Sequence, residues 1–289
     1  MRSKSICNAH QPPGAAATGG QAQGIHLADQ PEQCPLSFLT PLEGNPLLPE
    51  RPPLVPGLEV AFVYEPAIQV GGDILDILPL SDDRVLVFIG DAMGHGVEAA
   101  MLMAAAKTAL HTATRTTSDP AAILEEINRE LVDLIGDRFV TAACARLDPA
   151  TRVADVALAG NVQPLRYDAR SGEVNRLGDS GLPLGIKASE TYATVCYGFS
   201  PGDTLVFCTD GLVEATNARG EAYGDERLAA LVRHHGNTEA TGLLQKIEAD
   251  RKHHCQGLPP KDDVTVLVVQ SRAPFANTAA GSGLSGNKV

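Results

Sequence analysis

The chain has no tryptophan, and aromatic residues make up only 4% of its 289 residues. It also lacks an apolar run of the roughly 18 residues that a membrane-spanning helix needs, and its first residues lack the apolar core of a signal peptide. The net charge is -12, and no basic cluster offsets it, which argues against nucleic acid as the main partner. These absences predict a cytoplasmic protein that binds neither membrane nor nucleic acid.

The six cysteines lack the spacing of a metal or redox motif. There is no Cys-x-x-Cys pair, and three of the cysteines lie in apolar, strand-like segments where a thiol is a small hydrophobic group. Disulfides are therefore not required. The adjacent histidines at 234–235 and 253–254 do not favour zinc either, because neighbours on a helix point about 100° apart and do not chelate together.

Two segments have compositions that do not predict a core. Residues 1–53 are rich in proline and glycine and show no sustained period of 2 or 3.6, and residues 273–289 resemble a linker. We expect a disordered N-terminal arm over 1–53, one folded domain over 54–272 and a disordered C-terminal tail over 273–289. The central segment is long enough to bury one core.

Within the predicted domain, the apolar pattern indicates strands, two helices, strands, two helices and a final strand. Short turns separate the strands, which favours antiparallel pairing because parallel strands need long crossovers. The predicted class is α+β with antiparallel sheets. Helices are expected from residue 97 and at 120–134, 225–235 and 239–254, and the later strands at 139–147, 153–159, 164–167, 173–177, 191–197, 204–208 and 264–270.

One predicted hairpin brings two carboxylates together. Residues 74–89 form an apolar run that is broken at Asp76 and at the polar turn 81–84, which predicts two strands. Asp73 and Asp91 lie at the outer ends of these strands, so the hairpin places them side by side. Adjacent carboxylates repel each other unless a cation lies between them, which makes this a candidate metal site; alternatively, both residues merely cap turns.

Two further acidic turns lie at strand ends. Asp210 follows the strand at 204–208, and Asp262 and Asp263 precede the last strand. Singly, each is typical of a turn or a solvated loop, but together with the first pair they indicate a convergent site. Oxygen ligands suit Mg²⁺ or Mn²⁺ rather than zinc, and two such ions can activate a shared water and stabilise a phosphoryl oxygen.

The acidic turns belong to motifs that resemble, in order and spacing, the SpoIIE-like branch of the PPM metal-dependent protein serine/threonine phosphatases. The resemblance covers about residues 60–269 and implies two antiparallel β-sheets packed face to face and flanked by helix pairs. The motifs are Val-Gly-Gly-Asp at 70–73, Gly-Asp-Ala-Met-Gly-His-Gly at 90–96, Gly-Asp-Thr-Leu-Val-Phe-Cys-Thr-Asp-Gly at 202–211, Gly-Glu-Ala-Tyr-Gly at 220–224 and Asp-Asp-Val-Thr-Val at 262–266.

The resemblance also implies a reaction, in which water activated by two Mn²⁺ or Mg²⁺ ions hydrolyses phosphoserine or phosphothreonine. Asp91 would bridge both ions and, with Asp73 and Asp210, form the catalytic set. The implied metal ligands are Asp73, Asp91, the carbonyl oxygen of Ala92, Asp210 and Asp262. Asp262 is favoured over Asp263 because it is the first of the pair in the family motif.

The chain departs from the family pattern near the site. No arginine near Asp73 resembles the phosphate clamp of eukaryotic members, and Asn161 stands where many relatives have histidine. His95, between two glycines, is either a proton donor or a residue that stabilises the turn. Without such an arginine, phosphate binding is predicted to rely on the metals, on water and on the backbone amides around Gly94 to Gly96.

The resemblance implies a small phosphorylated regulatory protein as the substrate, such as a STAS-domain anti-anti-sigma factor of a bacterial partner-switching pathway. It further implies regulation through the helix pair at 97–134, set by a homodimer or an activator. Two alternatives stay open. One is a weakly active or inactive binding module of the same fold, and the other is a hydrolase of small phosphoesters.

Overall fold

A computed structural model describes residues 47–68, 71–81 and 83–272. In these residues the strands are β1 (Leu58–Glu65), β2 (Asp73–Pro79), β3 (Val85–Ala92), β4 (Val140–Asp148), β5 (Val153–Ala159), β6 (Leu165–Tyr167), β7 (Val174–Arg176), β8 (Val195–Gly198), β9 (Thr204–Cys208) and β10 (Val264–Ser271). The helices are α1 (Val97–Ala113), α2 (Pro120–Val132), α3 (Asp210–Val213), α4 (Asp225–His235) and α5 (Ala240–Cys255).

The strands form two five-stranded sheets. Sheet A has the order β1-β10-β9-β6-β7, and sheet B has the order β2-β3-β4-β5-β8. Every neighbouring pair of strands is antiparallel. The predicted α+β class with antiparallel sheets is confirmed.

Three apolar layers hold the sheets and helices together. Since successive side chains of a strand point to opposite faces, Leu75 and Ile77 of β2 pack between the two sheets, whereas Ile74 packs with α1 and α2 on the outer face of sheet B. A third layer joins the outer face of sheet A to α4 and α5. The predicted arrangement of two packed sheets between helix pairs is therefore confirmed.

Two local predictions differ from the structure. The strand expected at 191–197 is replaced by the shorter β8. The residues before β8 are hydrogen-bonded to α2 and to its N-cap residue instead of to a strand. The amide of Tyr192 donates to Glu125 at 3.3 Å, and the hydroxyl of Thr194 donates to Asp119 at 2.9 Å. Asp210, expected in a turn, is the first residue of the one-turn helix α3.

The packed unit begins before the expected boundary at Leu54. Leu47 contacts the layer beneath α1 and α2, Leu48 contacts the layer between the sheets, and the amine of Lys107 donates to the carbonyl oxygen of Leu47. Of the predicted arm over 1–53, residues 1–46 lie outside the described residues, and so do the predicted tail over 273–289, Cys7 and Cys34.

The described cysteines and helices bear on two of the class predictions. Cys144, Cys196, Cys208 and Cys255 are free thiols, and all but Cys196 are buried. Among the helices of residues 47–272 that the structure describes, none has the length and apolar composition needed to span a bilayer.

Candidate metal centre

The β2–β3 hairpin places Asp73 directly opposite Asp91. The pairing continues one step beyond the ladder, because the amide of Ala92 donates to the carbonyl oxygen of Gly72 at 3.3 Å. Directly opposed residues of an antiparallel pair point to the same face of a sheet. The register predicted from the apolar pattern therefore brings these two carboxylates to one edge of sheet B.

Asp73 connects the two sheets at this edge. The residue is 1% exposed. Its Oδ2 accepts hydrogen bonds from the hydroxyls of Thr209 at 2.9 Å and Thr265 at 2.5 Å. Thr209 directly follows β9, and Thr265 lies at the start of β10, so both belong to sheet A. The amide of Thr265 in turn donates to the hydroxyl of Thr209 at 3.0 Å. One carboxylate oxygen thus ties three chain segments together.

Burial raises the pKa of Asp73 well above its ordinary value. The hydrogen bonds from Thr265 and Thr209 act in the opposite direction, while the nearby charges of Asp91 and Asp263 raise the pKa further. The effect of burial exceeds that of the two hydroxyl bonds, so the net change in this pKa is upward.

Asp263 holds the chain that leads into β2. Its Oδ1 accepts from the amide of Ala67 at 2.8 Å, and its Oδ2 accepts from the amide of Gly72 at 2.6 Å and, at a longer 3.4 Å, from that of Asp73. The side chain is 5% exposed. Both of its oxygens are therefore used to position backbone.

Asp262 differs from its neighbour in each of these respects. It is exposed, and among the described residues it accepts one hydrogen bond, from the amide of Asp263 at 2.8 Å. The adjacent carboxylates therefore have different surroundings, since Asp263 is occupied by backbone donors and Asp262 retains oxygens for another ligand.

The outer carboxylates of the edge repel one another. Burial raises the pKa of Asp91 to about 7, and the charges of Asp210, Asp262 and Asp263 add to this effect, while a hydrogen bond from Asp73 opposes it. Burial, and next the charge of Asp262, also raise the pKa of Asp210. A cation among these groups would relieve both the burial cost and the repulsion.

The donor atoms fit Mg²⁺ or Mn²⁺. They are all oxygens. The glycine at 72 keeps a side chain away from them, because a Cβ there would lie 2.8 Å from the carbonyl oxygen of Ala92 and 3.4 Å from Oδ1 of Asp91. Within the described part of the chain, no three His, Cys, Asp or Glu side chains are gathered closely enough to enclose an ion. Mg²⁺ keeps several waters and takes one or two carboxylates, so pairs of acidic residues suffice.

A cavity of about 210 Å³ opens beside Asp262 and Asp263, and His95 lies in its wall. Asn161 has a structural position instead: it is 6% exposed, and its side-chain amide donates to the carbonyl oxygen of Cys208 at 3.2 Å. The remaining lining residues are Ala67, Ile68, Gly71, Gly94 and Lys261.

Three groups at this edge were not predicted as site residues. They are the hydroxyls of Thr209 and Thr265 and the side chain of Lys261. Each of the three adjoins or closely follows a predicted acidic ligand in sequence, in Thr-Asp-Gly at 209–211 and in Lys-Asp-Asp-Val-Thr at 261–265. That adjacency was the available signal, but a threonine beside an aspartate is common in turns and carries little weight alone.

The histidine pairs have structural contacts. The rings of His234 and His235 meet edge-on with centroids 4.5 Å apart. His254 lies against Arg227, with 3.2 Å between its Nδ1 and the guanidinium, and its Nε2 lies 2.9 Å from the carbonyl oxygen of Glu221.

The comparisons with known proteins agree with this geometry. The model of the family described as Stage II sporulation protein E (SpoIIE) matches residues 81–272. The chain is 25% identical over 238 residues to Protein IcfG of Synechocystis sp. (73% of this chain, 37% of that protein). It is 24% identical over 227 residues to phosphoserine phosphatase RsbU of Bacillus subtilis (78% of this chain, 67% of that protein).

Among solved structures, the SiaA-PP2C domain of Pseudomonas aeruginosa superimposes with a TM-score of 0.66 and 25% identity, covering 74% of this chain and 84% of that one. The two-sheet fold is that of PP2C-type phosphatase domains. The chain belongs to the SpoIIE family, whose model covers most of the folded domain. The predicted SpoIIE-like branch of the PPM phosphatases is confirmed.

Proposed function

We propose that this chain is a metal-dependent protein serine/threonine phosphatase that hydrolyses phosphoserine or phosphothreonine on a small regulatory protein. The observation that supports it most is the group of mutually repelling carboxylates Asp91, Asp210 and Asp262 beside an open cavity. Such an arrangement stores negative charge that a divalent cation would neutralise. The SpoIIE family membership supports the same chemistry.

The proposed metal ligands are Asp91, the Ala92 carbonyl oxygen, Asp210, Asp262 and Asp73. Asp91 is proposed as the shared ligand, because its pKa responds to the charges of both Asp210 and Asp262. Asp73 uses Oδ2 for the threonine hydroxyls, which leaves Oδ1 for an ion or for one of its waters. Asp262 is preferred to Asp263 because the latter is occupied by backbone amides.

When bound, two Mg²⁺ or Mn²⁺ ions would supply a nucleophilic water at neutral pH and neutralise phosphoryl oxygens. The chain's own residues make this possible in two ways. Burial raises the pKa of Asp91 to about 7, so binding of a cation there would be coupled to loss of the proton from this carboxyl group. Asp73 and Asp263 hold the backbone around it, so the ligands keep their positions.

The proposed substrate is a phosphorylated regulator such as a STAS-domain anti-anti-sigma factor in a bacterial partner-switching pathway. The similarity to the phosphoserine phosphatase RsbU of Bacillus subtilis supports phosphoserine as the substrate residue. The cavity is small and open at a surface, which suits a phosphorylated side chain presented by a protein.

The proposed regulation acts through α1 and α2, and its agent would be a homodimer or an activator. α1 begins just beyond Asp91 and is fastened to β2 by Asp76, whose carboxylate lies 2.7 Å from His111 and 3.2 Å from Lys107. Met101 on α1 is 69% exposed, and Leu134, just beyond α2, is 70% exposed. An associating protein that covers this face would displace α1 and with it the Asp91 turn.

The test is release of phosphate from a phosphoserine-containing STAS-domain protein by the full chain, with Mn²⁺ and with EDTA. We expect release with Mn²⁺ and none with EDTA or with Asp91→Asn. Binding of the phosphoprotein without release would instead indicate a binding module. Faster hydrolysis of a nucleotide than of the phosphoprotein would indicate a small-phosphoester hydrolase, and activity that persists in EDTA would contradict the proposal.

A further inference from the structure

The cavity beside the acidic edge is built from three separate parts of the chain. Its walls come from the segment before β2, the turn between β3 and α1, and the segment before β10. At about 210 Å³ it is smaller than the roughly 300–1,000 Å³ of pockets that hold drug-sized ligands. Its size therefore suits one small polar group rather than a whole cofactor.

The positive charge in this wall comes from two side chains. Among the described lining residues, Lys261 is the one lysine or arginine, and His95 is the one histidine. Ile68, on the opposite segment, is apolar and half exposed. Asp263 has both oxygens engaged by backbone amides, so it does not neutralise the lysine by a direct contact.

The side chains of Lys261 and His95 make no polar contact with other described residues. Across the described residues, neither makes a hydrogen bond or an ion pair, whereas Lys107, Lys187 and Lys252 each pair with an acidic side chain. His95 lies between Gly94 and Gly96, which have φ angles of 109° and 73°. Glycine adopts such positive φ angles without strain, and the turn that the two glycines form places His95 in the cavity wall.

A phosphate monoester would be repelled by Asp262 and its acidic neighbours unless cationic groups approach it. Bound ions would supply part of that charge, and cationic side chains in the cavity wall would supply the rest. An ammonium group on a flexible stem binds phosphate as a point charge, and a protonated or neutral imidazole donates a hydrogen bond. Both groups are present in one wall of this cavity.

We propose that Lys261 and His95 bind the phosphoryl oxygens of the substrate, with Lys261 as the principal charge partner. This inference rests on the proposed phosphatase function and deepens it by assigning the groups that recognise phosphate. They would bind phosphate in place of the clamping arginine of eukaryotic members, since the sequence has no arginine near Asp73.

The experiment uses the full chain with saturating Mn²⁺ and two probes, p-nitrophenyl phosphate as substrate and inorganic phosphate as competitive inhibitor. Lys261→Gln removes the charge, Lys261→Arg keeps it, and Lys246→Gln is the matched control, because Lys246 is an exposed lysine on α5 that lines no part of the cavity. We expect Lys261→Gln to raise KM and the inhibition constant of phosphate about tenfold, as loss of one charge-assisted hydrogen bond does. Lys261→Arg and Lys246→Gln should stay within about twofold of the wild type.

Two readouts separate phosphate binding from damage to the metal centre and from failure of the proposed function. Calorimetric titration should show that Lys261→Gln binds Mn²⁺ no more weakly than the wild type, since the substitution removes a positive charge near the ligands. Calorimetric titration of inorganic phosphate into the Mn²⁺-loaded protein needs no turnover. If the wild type binds phosphate through Lys261 but hydrolyses nothing, this inference stands and the proposed function fails.

Two results would overturn the assignment. The first is a wild type and a Lys261→Gln variant that bind phosphate equally well, whether or not the protein is a phosphatase. The second is a wild type that binds no phosphate at all. A second pair of variants tests His95. His95→Ala should raise the inhibition constant of phosphate about threefold, and His95→Gln, which keeps a hydrogen-bond donor, should raise it less. If the wild type and both variants bind phosphate equally well, His95 is removed from the assignment.

Discussion

The inner and outer halves of the acidic edge contain the same side chain in opposite surroundings. In the inner half, Asp73 and Asp263 are buried, and their oxygens accept hydrogen bonds from hydroxyls or backbone amides. In the outer half, Asp91, Asp210 and Asp262 face one another's negative charge. We infer from this difference that the inner carboxylates hold the two sheets together and that the outer ones supply most of the charge for a cation, while Oδ1 of Asp73 stays available to an ion.

The largest expected effect is on the outer half. Asp91→Asn should reduce Mn²⁺-dependent phosphate release on the order of 1,000-fold or more, because the shared ligand of both ions is lost. The free energy of unfolding in EDTA should stay the same or rise, since a repelling charge is removed. Phosphate release and urea unfolding measure the two effects. Unchanged activity in saturating Mn²⁺ would remove Asp91 from the centre of the site.

The neighbours Asp262 and Asp263 give a matched pair across the two halves. Asp263→Ala leaves the amides of Ala67 and Gly72 without their acceptor, and it should lower the free energy of unfolding by about 2–4 kcal/mol. Asp262→Ala should lower the free energy of unfolding by less than about 0.5 kcal/mol, as surface substitutions do. It should nevertheless lose the Mn²⁺-dependent phosphatase activity. Urea unfolding in EDTA and Mn²⁺ titration decide between them. The opposite pattern would assign the ligand role to Asp263.

The pH dependence of the metal-free protein tests the charge of the outer half. The folded pKa of Asp91 is raised to about 7, so between about pH 4 and 7 the folded state binds more protons than the unfolded state. Stability should therefore fall as pH rises through this window, by on the order of 1–2 kcal/mol from pH 5 to 7, and then level off. Carboxylates whose pKa is lowered, such as Asp250, contribute only below this range.

Unfolding by urea at pH 5, 6, 7 and 8 in EDTA measures this slope. Asp91→Asn should reduce it, and the part due to the raised pKa of Asp73 should persist. Saturating Mn²⁺ should reverse the sign, because metal binding requires the deprotonated ligands. A metal-free protein that gains stability from pH 5 to 7 would contradict the proposed repulsion.

The smallest effect concerns a carboxylate away from the edge. Asp76 lies on β2, three residues beyond Asp73, and is engaged by His111 and Lys107 of α1. If a carboxylate that is bonded by other protein groups serves stability and not metal binding, Asp76→Asn should act like a substitution of Asp263. It should lower the free energy of unfolding by about 1 kcal/mol. Mn²⁺ affinity, measured by calorimetry, should be unchanged. A large loss of Mn²⁺ affinity would instead show that α1 transmits to the metal centre.

Much of the fold and part of the site follow from local patterns in the sequence. The apolar run at 74–89 and its polar turn determine a hairpin register, because a slip of one residue would turn every buried side chain outward. That register places Asp73 opposite Asp91. The order of acidic motifs likewise identified the family that the comparisons show. Strand positions followed the same logic, except at 191–194, where side-chain bonds to α2 replaced strand pairing.

The tertiary structure decided which carboxylate does what. Asp73 meets Thr209 and Thr265 at sequence separations of 136 and 192 residues, and Asp263 meets Gly72 across 191. No local pattern contains these donors, because they depend on how one sheet packs on the other. The sequence by itself determined the strands, the turns and the acidic residues at their ends. Only the packing of the two sheets decided which oxygens are hydrogen-bonded by the fold, and which are left beside Lys261 and the open cavity.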